Sequence, residues 1–101
     1  MLMSFQEKVY KKLSEVPKGK VVTYKELAKA INSNAVRAVG TAMKNNKNII
    51  TIPCHRVVKS DGTVGQYSAK GGVSKKIHLL EKEGIEIING KIDLNKFEFE
   101  F

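Results

Sequence analysis

Pro53-Cys54-His55, at the end of the apolar segment Ile49-Ile50-Thr51-Ile52, is where this 101-residue sequence sets the parts of a nucleophilic reaction side by side. The proline stiffens the approach, the thiol becomes a nucleophile once deprotonated, and the neighbouring imidazole can take the proton directly or through water. An unassisted thiol is only slightly ionised at neutral pH, so a nearby base and nearby positive charge decide whether such a cysteine reacts. The same residue types also serve as a small core hydrophobe and a satisfied buried histidine, and taken alone they leave both readings open. One cysteine cannot form an internal disulfide, and two histidines without ligand spacing cannot build the usual zinc site. No metal or other cofactor is expected.

The elements that must position these residues can be read from caps and spacing. Ser4-Phe5-Gln6-Glu7 fits a capping box, and Phe5, Val9, Leu13 and Val16 recur at helical spacing, which predicts a first amphipathic helix stopped near Pro17. Val21-Val22 reads as a very short strand. Thr23-Tyr24-Lys25-Glu26 is a second capping box opening a short helix with Tyr24, Leu27, Ala28 and Ile31 on one face. After the polar turn Asn32-Ser33-Asn34, with Asn34 as N-cap, a third helix turns Val36, Val39, Gly40 and Met43 inward and Arg37, Thr41 and Lys44 outward. Two short helices joined this way form a helix-turn-helix pattern, and the small residues Ala35, Ala38, Gly40 and Ala42 let the third helix lie close against something. Internal packing and DNA contact explain that stripe equally well. A fourth helix is expected from about Val73 to Glu83, burying Val73, Ile77 and Leu80 and capped by Gly84. Asn89-Gly90 between β-branched runs signals a hairpin, and alternating Phe97, Phe99 and Phe101 suggest further extended chain.

Length and a 42% hydrophobic content suffice for one modest core, so one domain over residues 1–101 is expected. No apolar stretch approaches the roughly 20 residues that span a bilayer, and the first residues lack a basic region followed by an apolar block. A soluble, unexported protein without a membrane partner follows as an expectation, cytoplasmic by default and nuclear if eukaryotic. The net charge of +8 lies wholly in residues 1–56, where nine Lys and two Arg face three Glu; residues 57–101 balance at zero. Such asymmetry points to a polyanion, most simply nucleic acid.

Beyond these local signals, Ile52-Pro53-Cys54-His55-Arg56-Val57, preceded by Arg37-Ala38-Val39-Gly40-Thr41-Ala42-Met43 and Asn46, and followed by Gly62, Val64-Gly65, Tyr67-Ser68 and Leu79-Leu80-Glu81-Lys82-Glu83-Gly84, resembles the O6-alkylguanine-DNA alkyltransferase (methylated-DNA--protein-cysteine methyltransferase) family over about residues 4–85. The resemblance implies a single-turnover DNA repair enzyme in which Cys54 attacks the alkyl carbon on O6 of guanine and keeps it as a thioether. His55 would take the thiol proton through water, with Glu83 orienting the imidazole, and Tyr24 would meet N3 of the guanine. It further implies that the backbone carbonyls of Cys54 and Val57 accept from the guanine amino group and that the amide of Ser68 donates to O6. Met43 and Tyr67 would line the pocket, Gly65 would permit its turn, and Asn46 would bridge the recognition helix to an active-site strand. Arg37 would enter the base stack as the base is flipped out, with Ala38, Thr41 and Lys44 on the helix laid in the minor groove, and Arg56 would brace the active-site segment. The implied partner is double-stranded DNA carrying O6-alkylguanine, bound by a monomer.

Two departures stand out. Ile49 occupies a position where many members have a pocket-lining proline, and the Ser68–Gly72 loop is about two residues longer than usual. Most members also carry a further N-terminal domain, so the resemblance is to the catalytic and DNA-binding half alone. A short branch of alkyltransferase-like proteins replaces the cysteine and only recognises the lesion, whereas Cys54 is present here. The expected fold is mostly α with a small β component (α+β): a helix-turn-helix, winged-helix-like domain with an active-site loop and a C-terminal β-hairpin.

Overall fold

The computed structural model describes residues 2–67 and 69–101. The first helix, α1 (Phe5–Leu13), starts on the capping box, with Ser4 Oγ accepting from the Glu7 amide at 3.1 Å and Glu7 Oε1 accepting from the Ser4 amide at 3.0 Å. It ends at Leu13, short of Pro17. Ser14 Oγ donates to the Tyr10 carbonyl at 2.8 Å, and the chain tightens into turns that still bury Val16. The residue before a proline is pushed out of the helical region, so the periodicity at Val16 outlasts the helix.

Strand β1 (Val22–Thr23) leads into α2 (Tyr24–Ala30), where Thr23 Oγ1 accepts from the Glu26 amide at 3.0 Å. Glu26 pairs with Lys29 at 3.6 Å rather than reaching back, so this capping box is made on one side. Helix α3 (Val36–Lys44) has Ala35 as its N-cap, not Asn34, because Ser33 Oγ takes the Ala35 amide at 3.0 Å and shifts the start by one residue. Its buried stripe is Val39, Ala42 and Met43. Val36 is 39% exposed, and a Cβ added at Gly40 would meet no atom within 4 Å, so these two face open space rather than the core as expected.

Where an active-site strand was anticipated, Ile49–Thr51 form a turn with Ile50 94% exposed, and Cys54–Arg56 form a 3-10 helix. Extended chain begins only at β2 (Val57–Val58), which pairs parallel to β1 with Val22 opposite Val57 and Thr23 opposite Val58. Helix α4 (Gly72–Lys82) ends in a left-handed Gly84 at φ +91°, with the Ile85 amide donating to the Leu80 carbonyl and the Gly84 amide to the Glu81 carbonyl, a Schellman closure. Its buried residues are Lys76 and Leu80. Val73, expected inside, is 43% exposed. The hairpin β3 (Ile87–Ile88) and β4 (Lys91–Ile92) turns on Asn89 and Gly90, both at positive φ, as a type I′ turn requires. Phe97 ends a short helix, α5 (Leu94–Phe97), capped by Asp93, in place of the extended chain expected there. Only beyond it does the chain run alongside Val21, with the Phe99 amide donating to the Val21 carbonyl at 2.8 Å.

Burial divides into two clusters where one core was expected, and the β1–β2 pair is the seam. Val22 and Val57 point into a cluster with Val9, Leu13, Leu27, Val39 and Met43, while Val21 and Val58 point into another with Leu80, Ile85, Ile92 and Phe97. Successive residues of extended chain face opposite sides, so Val57 and Val58 of β2, and Val22 of β1 with Val21 just before it, serve both clusters. Among the described residues, five α-helices with a few short strands make an α+β fold. Among the described residues no helix is long and apolar enough to cross a membrane.

Candidate active site

Cys54 opens the 3-10 helix at the base of a cleft of about 700 Å³ and is 7% exposed. Tyr24 at the start of α2, Val36, Arg37, Gly40, Thr41, Met43 and Lys44 of α3, and Gln66 and Tyr67 of the following loop line the same cleft. Lys25, Lys59, Ser60 and Asp61 complete its rim, leaving one acid against four cations. Two sequence-predicted groups therefore converge with the cysteine: the pocket residues Met43 and Tyr67 with Tyr24, and the helix residues Arg37, Thr41 and Lys44. Ala38 is half-buried and does not line the cleft, nor does Ile49. Ser68 lies outside the described residues.

Behind the cysteine stands a charged cluster. His55 Nε2 lies 2.9 Å from Glu83 Oε2, while Arg56 donates through Nε to Oε1 at 3.0 Å and through Nη2 to Oε2 at 2.7 Å. A third guanidinium bond, Nη1 to the Val16 carbonyl at 2.9 Å, anchors the arginine to the end of the α1 turn. Burial alone would raise the carboxyl of Glu83, but the hydrogen bonds and charges of Arg56 and His55 outweigh it and hold the group below its ordinary value. For His55 the balance runs the other way. Burial is the largest influence and lowers its pKa, against the pull of Glu83 and with help from the positive charges of Arg56 and Lys76. The result is an ionised carboxylate beside a neutral imidazole. An ionised carboxylate can only accept, which places the ring proton on Nε2 and leaves Nδ1 with its lone pair. Nδ1 is buried and has no hydrogen-bond partner among the described residues. This arrangement is built to receive a proton.

Asn46 joins α3 to the approach of Cys54, its Nδ2 donating to the Ile52 carbonyl at 2.9 Å. Gly65 adopts φ +79°, and a Cβ there would meet Lys59, Lys76 and Tyr24 atoms at 3.6–3.7 Å. The Tyr24 hydroxyl is held above its usual pKa, chiefly by burial and then by the charge of Cys54, so it stays a donor at neutral pH. Val57 is buried and is not among the residues lining the cleft, and its carbonyl accepts from Lys76 Nζ at 2.7 Å.

Two residues escaped the sequence reading. Lys76 is fully buried, its Nζ donating to Val57 and Gln66 carbonyls. Its position four before Leu80 and seven before Glu83 is the signal that a helical stripe pattern carries, overlooked because the residue is a lysine. Tyr10 donates its hydroxyl to the Ala42 carbonyl at 2.6 Å, satisfying one of the free carbonyls at the end of α3. Nothing local signals that bond. No group of three His, Cys, Asp or Glu side chains among the described residues could hold a metal.

Comparison with known proteins adds to this geometry. Residues 4–85 match the family model described as 6-O-methylguanine DNA methyltransferase, DNA binding domain. The chain is 51% identical over 83 residues to a methylated-DNA--protein-cysteine methyltransferase of Thermococcus kodakarensis, covering 81% of this chain and 45% of that protein. It spans less than half the length of the curated relatives it matches. Among solved structures, S. pombe Atl1 in complex with damaged DNA containing O6-carboxymethylguanine superposes with a TM-score of 0.87 at 34% identity, covering all of both chains. Mycobacterium tuberculosis OGT in complex with DNA gives 0.75 at 39% identity, covering 82% of this chain and 51% of that one.

Proposed function

The chain belongs to the 6-O-methylguanine DNA methyltransferase family, and from that premise we propose that it repairs DNA by moving an alkyl group from O6 of guanine to Cys54. The observation that carries the reading is a cysteine at the base of an open cleft, followed directly by a neutral histidine whose far nitrogen is held by an ionised glutamate. His55 takes the thiol proton on Nδ1 through water, and Glu83 stabilises the imidazolium so formed. The thiolate then attacks the alkyl carbon in line with its bond to O6. The S–C bond forms as the C–O bond breaks, and the electron pair passes to the guanine. A proton shared from the Tyr24 hydroxyl at N3 keeps the departing base from carrying a full negative charge. The acceptor is not regenerated, so each molecule reacts once.

A base stacked in a duplex hides its O6 substituent, so the nucleotide must first be extruded at a cost of a few kcal/mol. Arg37 on the exposed face of α3, at the cleft mouth, fills the gap left in the stack, and Gly40 lets the helix approach closely. A second reading, a damage sensor that flips the base with little transfer, is favoured by the complete mutual coverage with S. pombe Atl1.

Intact mass after mixing with a duplex containing O6-methylguanine separates the two. Gain of one methyl group, absent in Cys54→Ala, supports transfer. Lesion-selective binding at unchanged mass supports the sensor, and indifference to the lesion overturns both. Cys54→Ala should keep nearly all of its affinity, because a thiol adds little to a phosphate-dominated interface.

A further inference from the structure

A lysine buried to 0% exposure demands an explanation, because an ammonium loses its hydration and must be compensated by fixed partners. Among the described residues Lys76 forms no ion pair. Its partners are the Val57 carbonyl at 2.7 Å and the Gln66 carbonyl at 3.1 Å, with the Tyr24 ring centroid 5.9 Å away. The two carbonyls come from separate segments beside the cleft: Gln66 is among its lining residues, and Val57 is buried three residues after the lining residue Cys54. Val57 follows the 3-10 helix that carries Cys54, whereas Gln66 and Tyr67 form the following loop, and Tyr24 stands at its side.

We propose that Lys76 is a positioning residue of the cleft: its amine ties the Val57 carbonyl to the Gln66 carbonyl and thereby sets the spacing of the two segments beside which an extruded purine lies. This rests on the reading of the cleft as the seat of an alkylguanine. Gly65 takes a left-handed conformation at the start of loop 65–67, Tyr67 packs into the core cluster, and the link from α4 holds the Gln66 carbonyl next to it. The tie does not depend on charge. Burial, opposed by the charge of Cys54, brings the amine's pKa down to about 8, and a neutral amine still has two N–H groups for two carbonyls. The role is thus distinct from assisting thiol ionisation and persists when the thiol is removed.

The test uses the Cys54→Ala protein and measures affinity for a duplex carrying one O6-methylguanine against the same duplex with guanine. Adding Lys76→Met, which keeps the unbranched stem and loses the donors, should cut the preference for the lesion by about tenfold while leaving affinity for the undamaged duplex unchanged. Lys76→Arg, which keeps donors, should recover part of the preference. A loss of general folding would lower both affinities together, so the ratio isolates positioning. Should Lys76→Met fail to fold, Lys76→Gln takes its place with a loss of the same sign expected. Lesion preference indifferent to either variant overturns this proposal alone; a Cys54→Ala parent without lesion preference overturns the reading of the cleft on which it rests.

Discussion

Protonation of the buried pair behind Cys54 has two consequences, one for rate and one for stability. His55 must be neutral to accept a proton, and burial holds its pKa below the ordinary 6.5. The transfer rate should therefore rise with pH through a midpoint below 6.5 and be flat at neutrality; a rate indifferent to acid would take the base role from His55. For stability, the unfolded chain binds more protons than the native one wherever the native pKa is depressed. The contribution of His55 is complete above 6.5 and is lost as pH falls through its lower native value. The contribution of Glu83 is complete above 4.5 and is lost in the same way further down. A melting series against pH should show decline beginning below 6.5 and steepening below 4.5. Glu83→Gln should remove the lower step and cost about 2 kcal/mol at neutral pH, since Arg56 loses a charged acceptor. It should also slow transfer by about a hundredfold. The partnership of His55 with Glu83 is invisible to local reading, because 28 residues separate them. Only the family resemblance singled it out.

At the level of elements, α3 does the most for function. Its exposed side carries Arg37, Thr41 and Lys44 onto the cleft, and its buried side fixes them to the core through Val39, Ala42 and Met43. If Arg37 replaces an extruded base, Arg37→Ala should slow repair of duplex O6-methylguanine by at least about tenfold while barely changing reaction with the free alkylated base, since only the duplex requires extrusion. Equal losses on both substrates, measured as mass gain against time, would remove the wedge role. Elements with closed local signals were legible in advance. The Ser4 capping box, the Gly84 closure and the Asn89-Gly90 hairpin each rest on residues within a few positions of one another. Three others were not. Ile49–Ile52 has β-branched composition, but Asn46 and Asn48 hold the chain in a turn, with Asn48 Oδ1 accepting from Thr51 at 3.0 Å. Phe97 joined a helix because Asp93 capped it, and the buried stripe of α4 runs through Lys76 and Leu80 while Val73, in the first turn, is 43% exposed.

For the molecule as a whole, the placement of charge matters more than its sum. The excess in residues 1–56 supplies Lys25, Arg37 and Lys44 to the cleft, and residue 59 adds a cation from the neutral half. Lys8, Lys11 and Lys12 line a separate groove with Met3 and Ile31, so part of the excess lies away from the cleft. Duplex affinity should fall linearly with the logarithm of salt. Replacing Lys25, Lys44 and Lys59 together by Gln should lower the slope by about three, at roughly 0.9 for each phosphate that is no longer neutralised. The triple Lys8, Lys11, Lys12→Gln should leave it nearly unchanged. Titration of fluorescent duplex at several salt concentrations reads both. Similar reductions in slope from both triples would show that the cleft face is not the DNA face.

The sequence alone determined the starts of the first two helices, the hairpin, the reactive dipeptide Cys54-His55 and the +8 balance, because each depends on neighbouring residue types or on simple counting. The tertiary structure decided what distance along the chain conceals: Glu83 at His55, Lys76 between two carbonyls, Tyr10 on the end of α3, and two clusters sharing one small sheet. A polar side chain in the interior is tolerated only where its partners arrive from elsewhere in the fold.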